Sequence, residues 1–150
     1  EGNCIIKASS IWTLIDMEKR RPVKPTQEMT AGYELAEKLE MDYAPRKIEM
    51  LEEAYNTAVQ EKFQVRKYQI DSNMHMNNVE YVRLAMETLP ENAVIRELRA
   101  EYRKPAVYGD GLTAAVRKKG QRHQVFLEDG NGDIYAVVEF GICSKTTETL

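Results

Sequence analysis

Three side chains with complementary chemistry lie within five positions of one another, as Asp71, Asn73 and His75. A histidine, with an ordinary pKa of about 6.5, exchanges protons readily near neutral pH. A carboxylate four residues earlier can orient the imidazole and stabilise its charged form. An asparagine amide can donate a hydrogen bond to a carbonyl oxygen that gains negative charge. This combination suits hydrolysis of an ester or thioester, and it does not suit redox chemistry.

The same residue types are also common in turns and at the starts of helices, so a structural interpretation of the motif stays open. Asn77 and Asn78 follow directly, and we interpret both as structural. Asn77 is placed to cap the next helix, with Glu80 three residues on as in a capping box, and Asn78 is placed to fix the turn. The N-terminus of that helix would favour negative charge at the same site.

The elements around the motif predict how it is positioned. A strand from Phe63 to Ile70 leads into it, and a helix over residues 79–89 follows and stops at Pro90. Four strands then follow in meander order, over residues 94–102, 112–118, 123–128 and 134–142, with a Gly-rich hairpin at 129–133. One long helix and an antiparallel sheet predict an α+β fold, and a curled sheet around a central helix is the hotdog arrangement.

The first 62 residues have a different character. Residues 4–16 are rich in β-branched and aromatic side chains and predict a strand with both faces partly covered, in which Trp12 packs. The segment from 22 to 62 is charged and weakly periodic, which indicates a connector lying on another surface. It predicts a helix capped by Thr26 and a second over residues 48–59, with Pro45 between them. The first helix would run through Tyr33, Leu35, Ala36 and Leu39.

Composition excludes several classes of function. The chain has 150 residues, a formal net charge of −3 and 43% hydrophobic residues, which is typical of one globular domain, or of one domain with an appendage. It contains no apolar run long enough for a membrane span, and a weakly acidic chain does not attract nucleic acid. Cys4 and Cys143 cannot form a disulfide framework, so we expect a cytoplasmic protein in which both are buried bystanders.

Three segments resemble the acyl-acyl-carrier-protein (acyl-ACP) thioesterases. Residues 68–81, YQIDSNMHMNNVEY, resemble the active-site segment in the second of that family's two hotdog domains. Residues 8–22, ASSIWTLIDMEKRRP, resemble the segment that closes the first domain, and residues 98–103, LRAEYR, resemble the first long strand after the helix. The likeness covers nearly the whole chain, in the family's order.

The resemblance implies an organisation and a reaction. Residues 1–21 would be the last strand of a truncated first hotdog domain, 22–62 a partly helical interdomain linker, 63–143 a complete hotdog domain and 144–150 a tail. The reaction would be hydrolysis of acyl-ACP to free fatty acid, without a cofactor or a metal. His75 would handle the proton, Asn73 would bind the carbonyl or oxyanion, and Asp71 would act as general base or orienter. A hotdog acyl-CoA thioesterase and a non-catalytic acyl-binding module are the alternatives.

The family likeness also implies partners. The chain would act on an acyl carrier protein. It would form a homodimer, pair with the missing first hotdog domain, or cover its own sheet edge with its N-terminal strand. Arg117, Lys118, Lys119 and Arg122 form a basic patch that is either solvated or touches the acidic carrier. His123 is interpreted as a surface residue, and no spacing of side chains indicates a metal site.

One departure from the family bears on mechanism. Plant members continue the Glu-Tyr-Arg stretch with Arg, Glu and Cys, and the Glu and Cys have been proposed as catalytic. This chain has Lys104, Pro105 and Ala106 there. A cysteine nucleophile is therefore impossible at that point, and a glutamate is missing unless Glu101 or another carboxylate substitutes. The sequence favours direct attack by water.

Overall fold

The computed structural model describes residues 3, 5–6, 8–33, 37–40, 43–51, 55–57 and 62–144. It divides the chain into two compact units, Glu1–Ala44 and Pro45–Leu150, which are described separately. Cys4, Leu35, Ala36 and Val59 lie outside the described residues, as does most of the predicted tail. Within the described ranges, no helix has the length and apolar character needed to span a membrane.

The first unit contains a small hairpin and one turn of helix. Strand β1 (Leu14–Asp16) pairs antiparallel with β2 (Arg21–Val23), and α1 (Gln27–Thr30) is capped by Thr26, whose hydroxyl accepts the Met29 N–H at 3.3 Å. The strand is much shorter than predicted, and it pairs within its own two-stranded sheet. Trp12 is 91% exposed, so the predicted cover of both faces and the packing of Trp12 are wrong. Helix α1 also ends before Tyr33.

The second unit is built on one antiparallel sheet of six strands. Its strands are β3 (Tyr55–Thr57), β4 (Lys62–Gln64), β5 (Ala93–Tyr102), β6 (Gly111–Lys119), β7 (Arg122–Glu128) and β8 (Ile134–Ser144). The order across the sheet is β3–β6–β7–β8–β5, and β4 pairs with the opposite end of β6 from β3. The four long strands confirm the predicted elements, and the fold is the predicted α+β hotdog.

The predicted meander is correct only for β6, β7 and β8. Strand β5 does not pair with β6; it pairs with β8 along its whole length and lies at the edge of the described sheet. Residues 103–110 therefore carry the chain from one side of the sheet to the other instead of forming a tight turn. This segment passes the start of the central helix on its way.

Helix α2 (Asn78–Met86) packs against β7 and β8 on one face of the sheet. It is shorter than predicted, because residues 87–89 form a turn in which the Thr88 hydroxyl donates to the Ala85 carbonyl at 2.7 Å. Tyr81 and Ala85 are the buried residues of the helix, and they belong to the main core. The other core residues are largely alternate side chains of the long strands, including Leu112, Ala114, Val116, Val125, Leu127, Ala136, Val138 and Phe140.

An extended segment, residues 45–51, crosses the opposite face of the sheet, and we call it the strap. Ile48 is buried there against Phe126 and Val137. Its backbone N–H groups are bound by side chains of the sheet, since Ile48 N–H donates to Glu101 at 2.8 Å and Leu51 N–H to Gln124 at 3.0 Å. The predicted helix over 48–59 is wrong in its described part, because these side chains replace the hydrogen bonds that a helix would supply.

His123 is buried, with 6% of its surface exposed, and the prediction of a surface histidine is wrong. It lies on β7 opposite Lys118 of β6 and Phe140 of β8. The alternation of β7 places it on the same face as the core residues Val125 and Leu127. Its Nδ1 is buried, and among the residues that the structure describes it has no hydrogen-bond partner.

Candidate active site

The motif forms a tight loop closed by a single bridge between Ile70 and Met76. One oxygen of Asp71, Oδ1, accepts the backbone N–H of Asn73 at 2.8 Å and that of His75 at 3.4 Å. The Asp71 N–H donates to the His75 carbonyl at 2.8 Å, and Met74 adopts a positive φ of 62°. The side chain of Asp71 therefore shapes the loop, since its short carboxylate reaches the N–H groups two and four residues ahead.

Two backbone hydrogen bonds anchor the end of this loop. The Met76 N–H donates to the Ala106 carbonyl at 2.8 Å, and the Asn77 N–H donates to the Gln69 carbonyl at 2.8 Å. Gln69 is itself buried, and its side chain accepts the Arg66 N–H at 2.8 Å and donates to Glu80 at 3.2 Å. The residues just after His75 are thus held from both sides.

The N-terminus of α2 opens directly after the loop. Asn77 caps it as predicted, with Oδ1 accepting the Val79 N–H at 2.9 Å. The predicted capping box is not formed, because the Glu80 carboxylate binds Gln69 and Arg83 while the Asn77 N–H is bound by the Gln69 carbonyl. Glu80 therefore ties the helix to the segment before the loop.

A cleft of about 470 Å³ lies at this point, and it brings the three predicted side chains to one space. Asp71 is half-buried at its wall, and Asn73 and His75 are exposed to it. Oδ1 of the Asp71 carboxylate is engaged with the backbone of its own loop. The lining residues are Asp71, Asn73, His75, Met76, Asn77, Asn78, Tyr81, Tyr102, Arg103, Lys104 and Pro105.

The sequence did not single out two tyrosines of this cleft. Tyr81 and Tyr102 meet edge to face with ring centroids 5.6 Å apart, and the Tyr102 hydroxyl donates to the Asn78 carbonyl at 3.1 Å. Burial raises the pKa of Tyr81; the Ala106 N–H opposes this, and the charges of Asp110 and Asp71 add to the increase. Burial likewise raises the pKa of Tyr102. Both phenols are therefore neutral near pH 7. The available signal was that Tyr81 ends the YQIDSNMHMNNVEY segment and that Tyr102 lies within the LRAEYR stretch.

Glu101 does not take the place of the missing glutamate. Its carboxylate accepts Arg103 Nε–H at 2.9 Å and the strap's Ile48 N–H at 2.8 Å, and it is not among the residues that line the cleft. Burial opposes its ionisation, but these two hydrogen bonds hold the pKa of Glu101 below its usual value. Glu101 therefore joins the strap to the end of β5.

Lys104 lines the cleft, and its ammonium is bound at the β7–β8 hairpin. Its ammonium lies 3.3 Å from Asp133 and 3.5 Å from Asp129 in the β7–β8 hairpin, and 4.8 Å from the centre of the Tyr135 ring. The hydrogen bond to Asp133 is the main reason that the pKa of Lys104 is raised. The hairpin is the one predicted at 129–133, with Gly132 at a φ of 86°.

The remaining candidates lie elsewhere. Arg117 of the basic patch is not simply solvated, since its guanidinium lies 4.9 Å from the Phe126 ring centre and donates to the Leu51 carbonyl at 3.5 Å. Cys143 is half-buried, and its sulfur accepts from Arg96 Nε at 3.4 Å. Within the described ranges, no three His, Cys, Asp or Glu side chains are grouped so that they could hold a metal ion.

Comparison with known proteins shows which family this domain resembles. Residues 52–139 match the model of the acyl-ACP thioesterase C-terminal domain. The chain belongs to this family. A curated relative, the chloroplastic acyl-[acyl-carrier-protein] hydrolase FATB3 of Cuphea viscosissima, is 25% identical over 86% of the chain. The chain spans only 35% of that relative's length.

Two solved structures show the shared fold. An acyl-ACP thioesterase from Bacteroides thetaiotaomicron superposes with a TM-score of 0.68 at 16% identity, over 86% of this chain and 53% of that one. The 12:0-ACP thioesterase from Umbellularia californica gives a TM-score of 0.65 at 20% identity, over 87% and 52%. The chain thus spans about half the length of these structures.

Proposed function

We propose that this chain carries the catalytic hotdog domain of a thioesterase that hydrolyses fatty acyl-ACP to free fatty acid. The observation that supports this most directly is the meeting of Asp71, Asn73 and His75 in one cleft at the N-terminus of α2. Membership of the acyl-ACP thioesterase family agrees with it. Release of fatty acid from the carrier would end a round of fatty acid synthesis.

In the proposed reaction, water attacks the carbonyl carbon of the thioester. Asp71 or His75 takes a proton from the water, and Asn73 donates a hydrogen bond to the carbonyl oxygen as it becomes negative. The positive end of α2 stabilises the same oxygen. The tetrahedral intermediate then collapses, the carbon–sulfur bond breaks, and His75 gives the departing thiolate the proton lost by the water, which it has taken directly or received from Asp71.

Direct attack by water fits the residues that stand after β5. Pro105 lines the cleft, while Ala106 is buried, and neither side chain can act as a nucleophile or a base. Cys143 lies on β8, outside the cleft. We therefore propose a mechanism without an acyl-enzyme intermediate.

Thioester cleavage assays test the function. Acyl-ACP and acyl-CoA of 8 to 18 carbons should be compared, with release of free thiol as the readout. We expect hydrolysis of acyl-ACP, a loss of about 100-fold or more in His75→Ala, and activity within about twofold of the parent in His123→Gln, which changes the other histidine. Cleavage of acyl-CoA alone would favour the acyl-CoA alternative. No cleavage of either class would favour a non-catalytic acyl-binding module.

The proposed partners are an acyl carrier protein and a second hotdog domain. Strand β5 lies at an edge of the described sheet and would offer its unpaired backbone groups to that domain, in a second copy or in a longer protein. Light scattering tests the homodimer, and a mass equal to one chain would contradict it.

Exposed Arg122 of the basic patch is a proposed contact for the acidic carrier. A cytoplasmic location stays a proposal, and cell fractionation tests it.

A further inference from the structure

A buried tyrosine connects helix α2 to the loop that carries the motif. Tyr81 is 2% exposed, and its phenol oxygen accepts the Ala106 N–H at 2.8 Å. The carbonyl of the same Ala106 accepts the Met76 N–H at 2.8 Å. Two hydrogen bonds of good length therefore run in series from the first turns of α2, through one buried residue, to the residue that follows His75.

The hydroxyl of Tyr81 has a role separate from the packing of its ring. The ring already packs in the core and against Tyr102, which a phenylalanine could also do. The oxygen adds an acceptor for the Ala106 N–H, which lies at a residue with no exposed surface and so has no water to bind instead. Without that acceptor, the Ala106 backbone would lose one of the two contacts that fix it.

The position of Met76 connects these two hydrogen bonds to the motif. Met76 is buried, directly follows His75 and pairs with Ile70 across the base of the loop. A shift of its backbone would move His75, and through the two N–H groups bound by Asp71 it would move Asn73 as well. Catalytic groups lose rate steeply when they are displaced by about 1 Å.

We propose that Tyr81 is a positioning residue for the hydrolysis, acting through the backbone of Ala106 on the loop that holds Asp71, Asn73 and His75. This rests on the proposed function, since that function makes the loop catalytic. In this chain, the side chains of Pro105 and Ala106 offer no nucleophile, and the backbone of Ala106 binds both Tyr81 and the Met76 N–H.

The test compares Tyr81→Phe with Tyr135→Phe. Each change removes one hydroxyl from a buried tyrosine of the same core, but the Tyr135 hydroxyl donates to Asp110 at 3.1 Å and its residue does not line the cleft. We expect Tyr81→Phe to lower kcat by about 10- to 100-fold with KM changed less than about twofold. Tyr135→Phe should keep kcat within about twofold of the parent value, even if its Tm falls as much as the Tm of Tyr81→Phe.

Amide hydrogen exchange gives a second readout that does not need activity. In Tyr81→Phe, the amides of Ala106 and Met76 should exchange at least about tenfold faster, while they should be unchanged in Tyr135→Phe. An unchanged Met76 amide, or an equal loss of kcat in the two variants, would overturn the proposal. If the parent protein cleaves no thioester, the proposed function fails on its own, and exchange at Met76 still decides whether Tyr81 holds the loop.

Discussion

At the scale of single residues, Asp71 has two tasks that one substitution can separate. Its carboxylate shapes the loop by accepting two backbone N–H groups, and in the proposed reaction its charge helps to activate water. Asparagine retains the accepting oxygen but cannot take up a proton. We expect the free energy of unfolding of Asp71→Asn to lie within about 0.5 kcal/mol of the parent value. Its kcat should fall by about 100-fold.

Asp71→Ala is the matched comparison, because it removes the accepting oxygen as well as the charge. It should lose activity and also lower the free energy of unfolding by about 1 kcal/mol. Chemical denaturation and thioester assays measure both quantities. Full activity in Asp71→Asn would show that the charge is not needed.

His123 predicts a pH dependence of stability. Burial lowers the pKa of His123, the Lys118 ammonium reinforces this, and the Gln121 carbonyl opposes it. The unfolded chain therefore binds the proton more readily than the native protein. The contribution of His123 to the free energy of unfolding is complete above a pH of about 6.5 and declines as the pH falls below that value, until the native side chain also protonates.

We expect His123→Leu to flatten this decline. Leucine cannot titrate, and it leaves no buried ring nitrogen without a partner among its apolar neighbours on β7. Urea denaturation at pH 7.5 and at pH 5.0 should show a smaller loss in the variant than in the parent. Equal losses in the two proteins would contradict the assignment.

At the scale of elements, a buried side chain of β7, Gln124, binds the strap at two points. The Gln124 amide donates to the Glu49 carbonyl at 2.7 Å and to Glu139 at 2.6 Å, and its oxygen accepts the Leu51 N–H. Arg99 joins this cluster by donating to Glu139 at 3.4 Å and to the Pro45 carbonyl at 2.7 Å. The strap is thus held through its backbone as well as through the buried side chain of Ile48.

Gln124→Ala should lower the free energy of unfolding by about 3 kcal/mol, because it leaves buried groups on the strap and on β8 without partners. Gln121→Ala, an exposed glutamine of the preceding turn, should change it by less than about 0.5 kcal/mol. Urea denaturation measures both variants. A similar small effect in the two would show that water replaces the Gln124 contacts.

At the scale of the whole molecule, the core lies within one of the two units. The buried hydrophobic residues that the structure describes all fall between Ile48 and Phe140. A chain that begins at Pro45 should therefore unfold cooperatively, with a free energy of unfolding within about 1 kcal/mol of the parent. Circular dichroism during thermal unfolding measures this, and a broad transition without a baseline would contradict it.

The elements with strong local signals were predictable. Alternation and turn residues predicted β5 to β8 and the 129–133 hairpin, and Asn77 and Pro90 bracketed the helix, because these signals act over a few neighbouring residues. The strap was predicted as a helix, since the spacing of Ile48 and Leu51 fits one turn. Its backbone instead binds Glu101 and Gln124, which lie 53 and 73 residues further along the chain. No local pattern contains that information.

The same division applies to the site. The sequence by itself determined which groups are available for chemistry, since Asp71, Asn73 and His75 occupy one short loop whose shape is set by its own aspartate. Only the tertiary structure decided what surrounds them: that Tyr81 and Ala106 hold the loop, that Lys104 turns to the hairpin and that His123 is buried. Two of these contacts, Tyr81 with Ala106 and Lys104 with Asp129, join residues 25 positions apart. Over such separations the free energy of packing, and not the preference of any single segment, selects the neighbours.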